Sequence, residues 1–327
     1  DISRAAVVRS LVRYFSTHGL LKSAAPSPAE ELVLKYVTYL DHVRGLAEST
    51  RCHHASAARE MLASIGFHGD TAILEAIEPY QIEGVLRQVG TRVSKASLQH
   101  TVAYLRAFLR FLAGRGLVAR GLDTQIDTPR PYHGERLPRS LPWDTVRALL
   151  AAIDRTTVMG KRDYAMLLLI TTYGLRTCEV SDLRLEDIQW RPEKLRIQRS
   201  KTRSPLVLPL TTEIADCLVD YLRHGRPQTS LRQVFLRVRA PAGPIRPTAV
   251  REAFQGWVRR SGLPIRYQGP HCLRHSLAIR LLRQGASLKT IGDLPGHRSI
   301  ESTCLYLRLH VEDLRDVALN LPTEVLS

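Results

Sequence analysis

The chain has 327 residues with 47 Lys and Arg against 31 Asp and Glu, a formal net charge of +16 that calls for a polyanionic partner. With 44% hydrophobic residues it can build real cores, and its length predicts two domains. The longest apolar run, AMLLLITTYGL (165–175), falls far short of the roughly 20 residues a bilayer span needs, the N-terminus lacks the pattern of a signal peptide, and the five cysteines include no Cys-x-x-Cys pair that would suggest a zinc ribbon. Together these predict a cytoplasmic, nucleic-acid-facing protein without a membrane partner.

Residues 1–27 read as a basic arm ending in SAAPSP. From Pro28, a favourable first helical position, Leu32, Val33, Tyr36, Val37 and Leu40 recur at helical spacing. The stretches 46–66 and 71–90 read as further helices, each closed by Gly. In 94–116, Val102, Leu105, Phe108, Leu109 and Leu112 share one face, which completes an all-helical unit over 28–126. The stretch 127–142 holds four prolines and no apolar period, which marks a linker. A second unit over 143–327 opens with a helix at Asp144–Ile153 and a buried helix over 161–174 that stops at Gly174. Alternation over 195–210 around a polar turn predicts a β-hairpin, and helices dominate from 212. The fold class is therefore mainly α with a small β-hairpin or sheet, in two domains.

Four stretches carry chemistry. In GPHCLRHSLAIR (269–280), His271 and His275 stand at a metal-ligand spacing, but Arg274 on the same side repels a dication and no third ligand is near. An anion held by the helix start, Arg274 and His271 fits better, and a surface helix with scattered basic residues fits equally well. In TTYGLRTCEVSDLRLEDI (171–188), Arg176 sits where the chain turns, and Glu179 is placed either to hold it or to form an ordinary solvated pair. The turn RSKTRS (199–204) belongs to a segment with Arg191, Lys194, Arg196, Arg199, Lys201 and Arg203 against Glu193. Such a tip can enter a DNA groove or reach a leaving group, and it is also the ordinary form of a solubilising edge. In LPGHRSIESTCLYLRLH (294–310), His297 follows a Pro-Gly turn and Tyr306 lies on an amphipathic helix, where a core role is the commoner one.

Taken in order, Arg176, Lys201, His271-x-x-Arg274, Gly296-His297 and Tyr306 resemble the tyrosine recombinase family, the integrases of phages and mobile elements and the Xer-type resolvases. The resemblance spans about 138–315, and more loosely 28–116, where YLDHVRGLAESTRCHH and LRAFLRFLAGRG resemble that family's core-binding domain. Pro295 before Gly-His and YLRLH in place of Tyr-x-His depart from the family pattern at non-catalytic positions.

The resemblance implies strand exchange on double-stranded DNA at a specific site, with neither metal nor cofactor, by four protomers on two duplexes. Arg176 and Arg274 would bind the scissile phosphate, Tyr306 would attack it, Lys201 would protonate the leaving oxygen, and His271 and His297 would assist and brace. Glu179 would orient Arg176 or a neighbouring histidine, and His275 would support the fold. The tail 311–326 would dock on a neighbouring protomer. The basic arm points to a mobile element. A Xer-type dimer resolvase and a catalytically silent DNA-binding accessory protein are the alternatives.

Overall fold

The computed structural model describes residues 25–129, 139–199, 205–239, 243–267 and 269–293, with a few isolated positions before residue 25. Lys201, His297, Tyr306 and the tail 311–326 lie outside the described residues. The chain divides into two compact units, Asp1–His133 and Gly134–Ser327.

The first unit is helical, and local chemistry sets its helix starts. Helix α1 (Pro28–His42) begins with Ser27 Oγ accepting the Glu30 amide at 3.3 Å. Helix α2 spans Glu48–Ser64, and α5 (Lys95–Ala113) is capped by Ser94. The stretch 71–90, expected as one helix, is two: α3 (Thr71–Glu75) and α4 (Pro79–Gly90). Pro79 has no N–H to continue a helix and drives Glu78 to an extended backbone, φ −103° and ψ 151°. The helices bury one core in which Val33, Tyr36, Met61, Leu62, Leu105 and Phe108 are essentially inaccessible. All five residues of the α5 face anticipated from periodicity are in it.

The second unit is also mostly helical, around a small sheet. Helix α6 (Trp143–Ala151) leads to α7 (Val158–Tyr173), which is buried on nearly all sides and ends at Gly174 in the left-handed conformation, φ +64°. Only glycine adopts that backbone without strain, so the chain can leave the helix there and enter the short α8 (Thr177–Ser181). The expected hairpin is the larger part of a three-stranded antiparallel sheet: β1 (Ile188–Gln189), β2 (Lys194–Ile197) and β3 (Leu206–Pro209). Leu195 faces Leu208 and Ile197 faces Leu206 across the ladder. Helices α9 (Thr212–His224), α10 (Pro247–Ser261), α11 (His271–Arg283) and α12 (Leu288–Asp293) complete the described elements.

An irregular stretch between α9 and α10 also enters the core, with Val234 and Phe235 wholly buried. Buried charge is matched nearby: Asp163 takes Arg162 Nη2 at 2.8 Å and Trp257 Nε1 at 3.0 Å, tying α7 to α10. Among the described residues no helix is long and apolar enough to cross a membrane.

Candidate active site

The site is built around two helix ends. The α7 helix delivers Gly174, after which Leu175 is buried and Arg176 becomes the residue that opens α8. Glu179, three residues on, folds back: its Oε2 accepts the Arg176 amide at 2.8 Å and its Oε1 accepts Arg176 Nη1 at 2.7 Å. The carboxylate is 3% exposed and the Arg176 side chain 18%. The pair is therefore a shielded fixture rather than the solvated surface bridge its spacing also allowed. Shielding charges a desolvation penalty against the attraction, and it makes loss of either partner alone costly, because the other charge is then left buried.

Helix α11 brings the second arginine. Its Cys272 and Leu273 join the core, the helix lies against α7, Ala278 packs with Ile291 of α12, and Arg274 is itself only 3% exposed. The guanidinium Nη1 donates to the Gly174 carbonyl at 2.5 Å. Two arginines far apart in sequence thus converge on one turn, Arg176 following two residues after the carbonyl that holds Arg274. Ser276 anchors the helix by accepting the Leu141 amide at 2.7 Å while donating to the Cys272 carbonyl.

His271 is the first residue of α11 and is exposed, and His275 is half-buried; their rings meet edge to face, with centroids 4.9 Å apart. The α11 amides were expected to be available for an anion. The Leu273 amide instead donates to the Pro270 carbonyl at 3.0 Å and the Cys272 amide to Gly269 at 3.4 Å. Any anion held here rests mainly on side chains. Among the described residues no group of three His, Cys, Asp or Glu is arranged to hold a metal ion. Burial pushes the Cys272 thiol up to about 12, so beside His271 it stays protonated at neutral pH. Cys178, next to Glu179, is raised as well, chiefly by burial and then by the carboxylates of Glu179 and Asp182.

The structure adds one residue that motif reasoning passed over. Arg199, after β2, points its Nε to Glu179 Oε1 at 3.9 Å, with a side chain 8% exposed. The signal lay in the strand alternation, which puts 195, 197 and 199 on one side.

Comparison with known proteins places the chain as a whole. The chain is 32% identical over 300 residues to an integrase/recombinase of Sinorhizobium fredii, covering 91% of this chain and 73% of the relative. It is 30% identical to the tyrosine recombinase XerD of Lacticaseibacillus casei, over 86% of this chain and 95% of that one. In fold it is similar to a lambda integrase dimer bound to a core site, with a TM-score of 0.64, 18% identity, and 91% and 99% of the two chains covered. A lambda integrase tetramer bound to a Holliday junction matches with a TM-score of 0.64 at 17% identity, over 84% of this chain and 76% of that one. Fold and relatives together define a tyrosine-type site-specific recombinase. Residues 139–313 match the phage integrase family, and the chain belongs to that family.

Proposed function

We propose that the chain cuts and rejoins double-stranded DNA at a specific site through a 3′-phosphotyrosine on Tyr306, in the service of a mobile element. Arg176 and Arg274 bind the non-bridging oxygens of the scissile phosphate and stabilise the charge that grows on them in the transition state. Tyr306 Oη attacks phosphorus in line, the bond from phosphorus to the 5′-oxygen breaks, and Lys201 delivers the proton which that oxygen needs to leave. Only about a thousandth of a phenol with pKa near 10 is ionised at neutral pH, so attack requires help. His271 accepts the tyrosine proton or hydrogen-bonds the phosphate, His297 braces it, Glu179 fixes Arg176, and His275 supports His271. The phosphodiester energy is kept in the protein–DNA link, so attack by a partner strand's 5′-hydroxyl reseals the DNA without metal or nucleotide.

The observation that carries this reading is the bond from buried Arg274 to the Gly174 carbonyl, two residues before Arg176, because it brings two guanidinium groups to one turn. The net charge of +16 supports a DNA partner. In this reading the helical unit over 28–126 grips DNA, 127–142 links it to a catalytic domain over 143–327, and four protomers act on two duplexes, as the lambda integrase tetramer on a Holliday junction suggests. The tail 311–326 docks on a neighbouring protomer.

The test is incubation with nicked substrates bearing candidate sites, in EDTA, followed by denaturing electrophoresis. A covalent protein–DNA band in EDTA is expected, lost in Arg176→Ala and in Arg274→Ala. A band that needs Mg²⁺ overturns the metal-free mechanism.

A further inference from the structure

Burial along β2 alternates with the period of a strand. Lys194 and Arg196 are exposed, Leu195 is 0% and Ile197 1% exposed. The same period leaves Gln198 exposed and turns Arg199 inward, beside the core rather than into water. A guanidinium in that register must find a counter-charge, because transferring it out of water is otherwise prohibitive. It finds Glu179 Oε1, the oxygen that also takes Arg176 Nη1. One buried carboxylate is therefore shared by arginines from two separate elements, through a 2.7 Å hydrogen bond from Arg176 and a 3.9 Å ion-pair contact with Arg199. A solubilising hairpin charge would stand in solvent.

We propose that Arg199 is a positioning residue for the recombination reaction: by sharing the Glu179 carboxylate with Arg176, it fixes the hairpin arm that leads to Lys201 in register with the phosphate-binding turn. Lys201 follows Arg199 by two residues, so an untethered arm lets the proton donor wander while the phosphate is still held. The inference rests on the reading of Lys201 as the general acid given above.

The test uses substrates in which the leaving 5′-oxygen is replaced by sulfur. With oxygen, the electron pair of the broken bond goes to an alkoxide that must receive a proton from Lys201. With sulfur it goes to a thiolate, stable without protonation because thiols ionise near a pKa of about 8.5. Single-turnover covalent-complex formation by Arg199→Ala is expected to be slowed about 10- to 100-fold on the oxygen substrate and to approach the wild-type rate on the sulfur one. Arg199→Lys, which keeps a cation, should regain most of the oxygen rate. Should Arg199→Ala fail to fold, the uncharged but still polar Arg199→Gln takes its place in the same comparison with Arg199→Lys. Lys201→Ala separates the two ideas. If sulfur does not rescue Lys201→Ala, the general-acid reading fails. If sulfur rescues Lys201→Ala but not Arg199→Ala (or Arg199→Gln in its place), or if that variant cleaves the oxygen substrate normally, the positioning role is overturned.

Discussion

Replacing Glu179 by Gln tests the charge that organises the site while changing almost no volume. The amide oxygen of Gln can still accept the Arg176 backbone N–H, so the turn into α8 keeps its geometry. What disappears is the negative charge shared by Arg176 and Arg199. For Arg199, at 3.9 Å, Coulomb attraction at an effective dielectric of about 20 is roughly 4 kcal/mol before desolvation is counted. Removing one partner of a buried pair costs about 3–5 kcal/mol, because the remaining charge is left buried and uncompensated. With one hydrogen bond retained, the lower end applies, about 3 kcal/mol, which lowers the melting temperature by about 6–12 °C at the slope usual for a domain of this size. The assay is favourable, because all three tryptophans, Trp143, Trp190 and Trp257, lie in the second unit, so selectively excited tryptophan fluorescence reports the melting of that unit alone. Covalent-complex formation should fall by about 10- to 100-fold as both guanidinium groups lose their common fixture. A melt within about 2 °C of wild type, together with normal cleavage, would refute the reasoning that Glu179 is the shared counter-charge.

Other consequences follow from the same geometry. Gly174→Ala places a side chain at φ +64°, costing about 1–2 kcal/mol, and disturbs the carbonyl that holds Arg274; Gly285→Ala, at φ +80° beyond α11, costs a similar amount of stability but should spare cleavage, so tryptophan melts and covalent-complex assays on the two variants should diverge. Labelling with a thiol reagent at mildly alkaline pH should modify exposed Cys52 quickly and leave Cys217 and Cys272, both pushed up to about 12 by burial, unmodified in the folded chain; Cys52→Ser should remove the fast phase assigned to it. In the helical unit, burial first, and then the nearby charge of Arg44 and His53, holds His54 below its ordinary value while its Nδ1 shares a 2.8 Å hydrogen bond with the Tyr36 hydroxyl. The fold therefore favours neutral His54: its contribution is fully present above the unfolded pKa of about 6.5 and is lost as pH falls through the lower folded value. Urea midpoints followed by far-ultraviolet circular dichroism should drop between about pH 7 and pH 5, and His54→Gln should flatten that dependence.

Much of the scaffold was legible because it depends on local chemistry. Apolar period alone picked out the α5 face, and Gly174 announced the end of α7 because glycine is the residue that takes a left-handed C-terminal position without strain. The errors came where one local signal competed with another. Over 71–90 the apolar pattern runs on, yet Pro79 breaks the helix. The buried irregular stretch around Phe235 has no period to detect, since its burial is decided by the elements that surround it. Strand β1 is two residues long and exists only because β2 lies beside it. At the proposed site, Arg176, Glu179 and Arg274 were picked out by the ordered set of motifs and its family resemblance, since each stretch alone also fitted an ordinary surface role. That Arg274 spends a donor on the Gly174 carbonyl, and that Arg199 shares Glu179, are contacts between distant segments which no local pattern records.

The central claim, that Tyr306 carries the DNA, is tested most directly by identifying the residue in the covalent complex. The trapped complex is digested with protease and nuclease, and the peptide bearing a residual nucleotide is sequenced by mass spectrometry. The account predicts the nucleotide on the peptide containing Tyr306, linked through a 3′-phosphate, with no adduct from Tyr306→Phe. A nucleotide on any other residue, or an undiminished adduct in Tyr306→Phe, would contradict it.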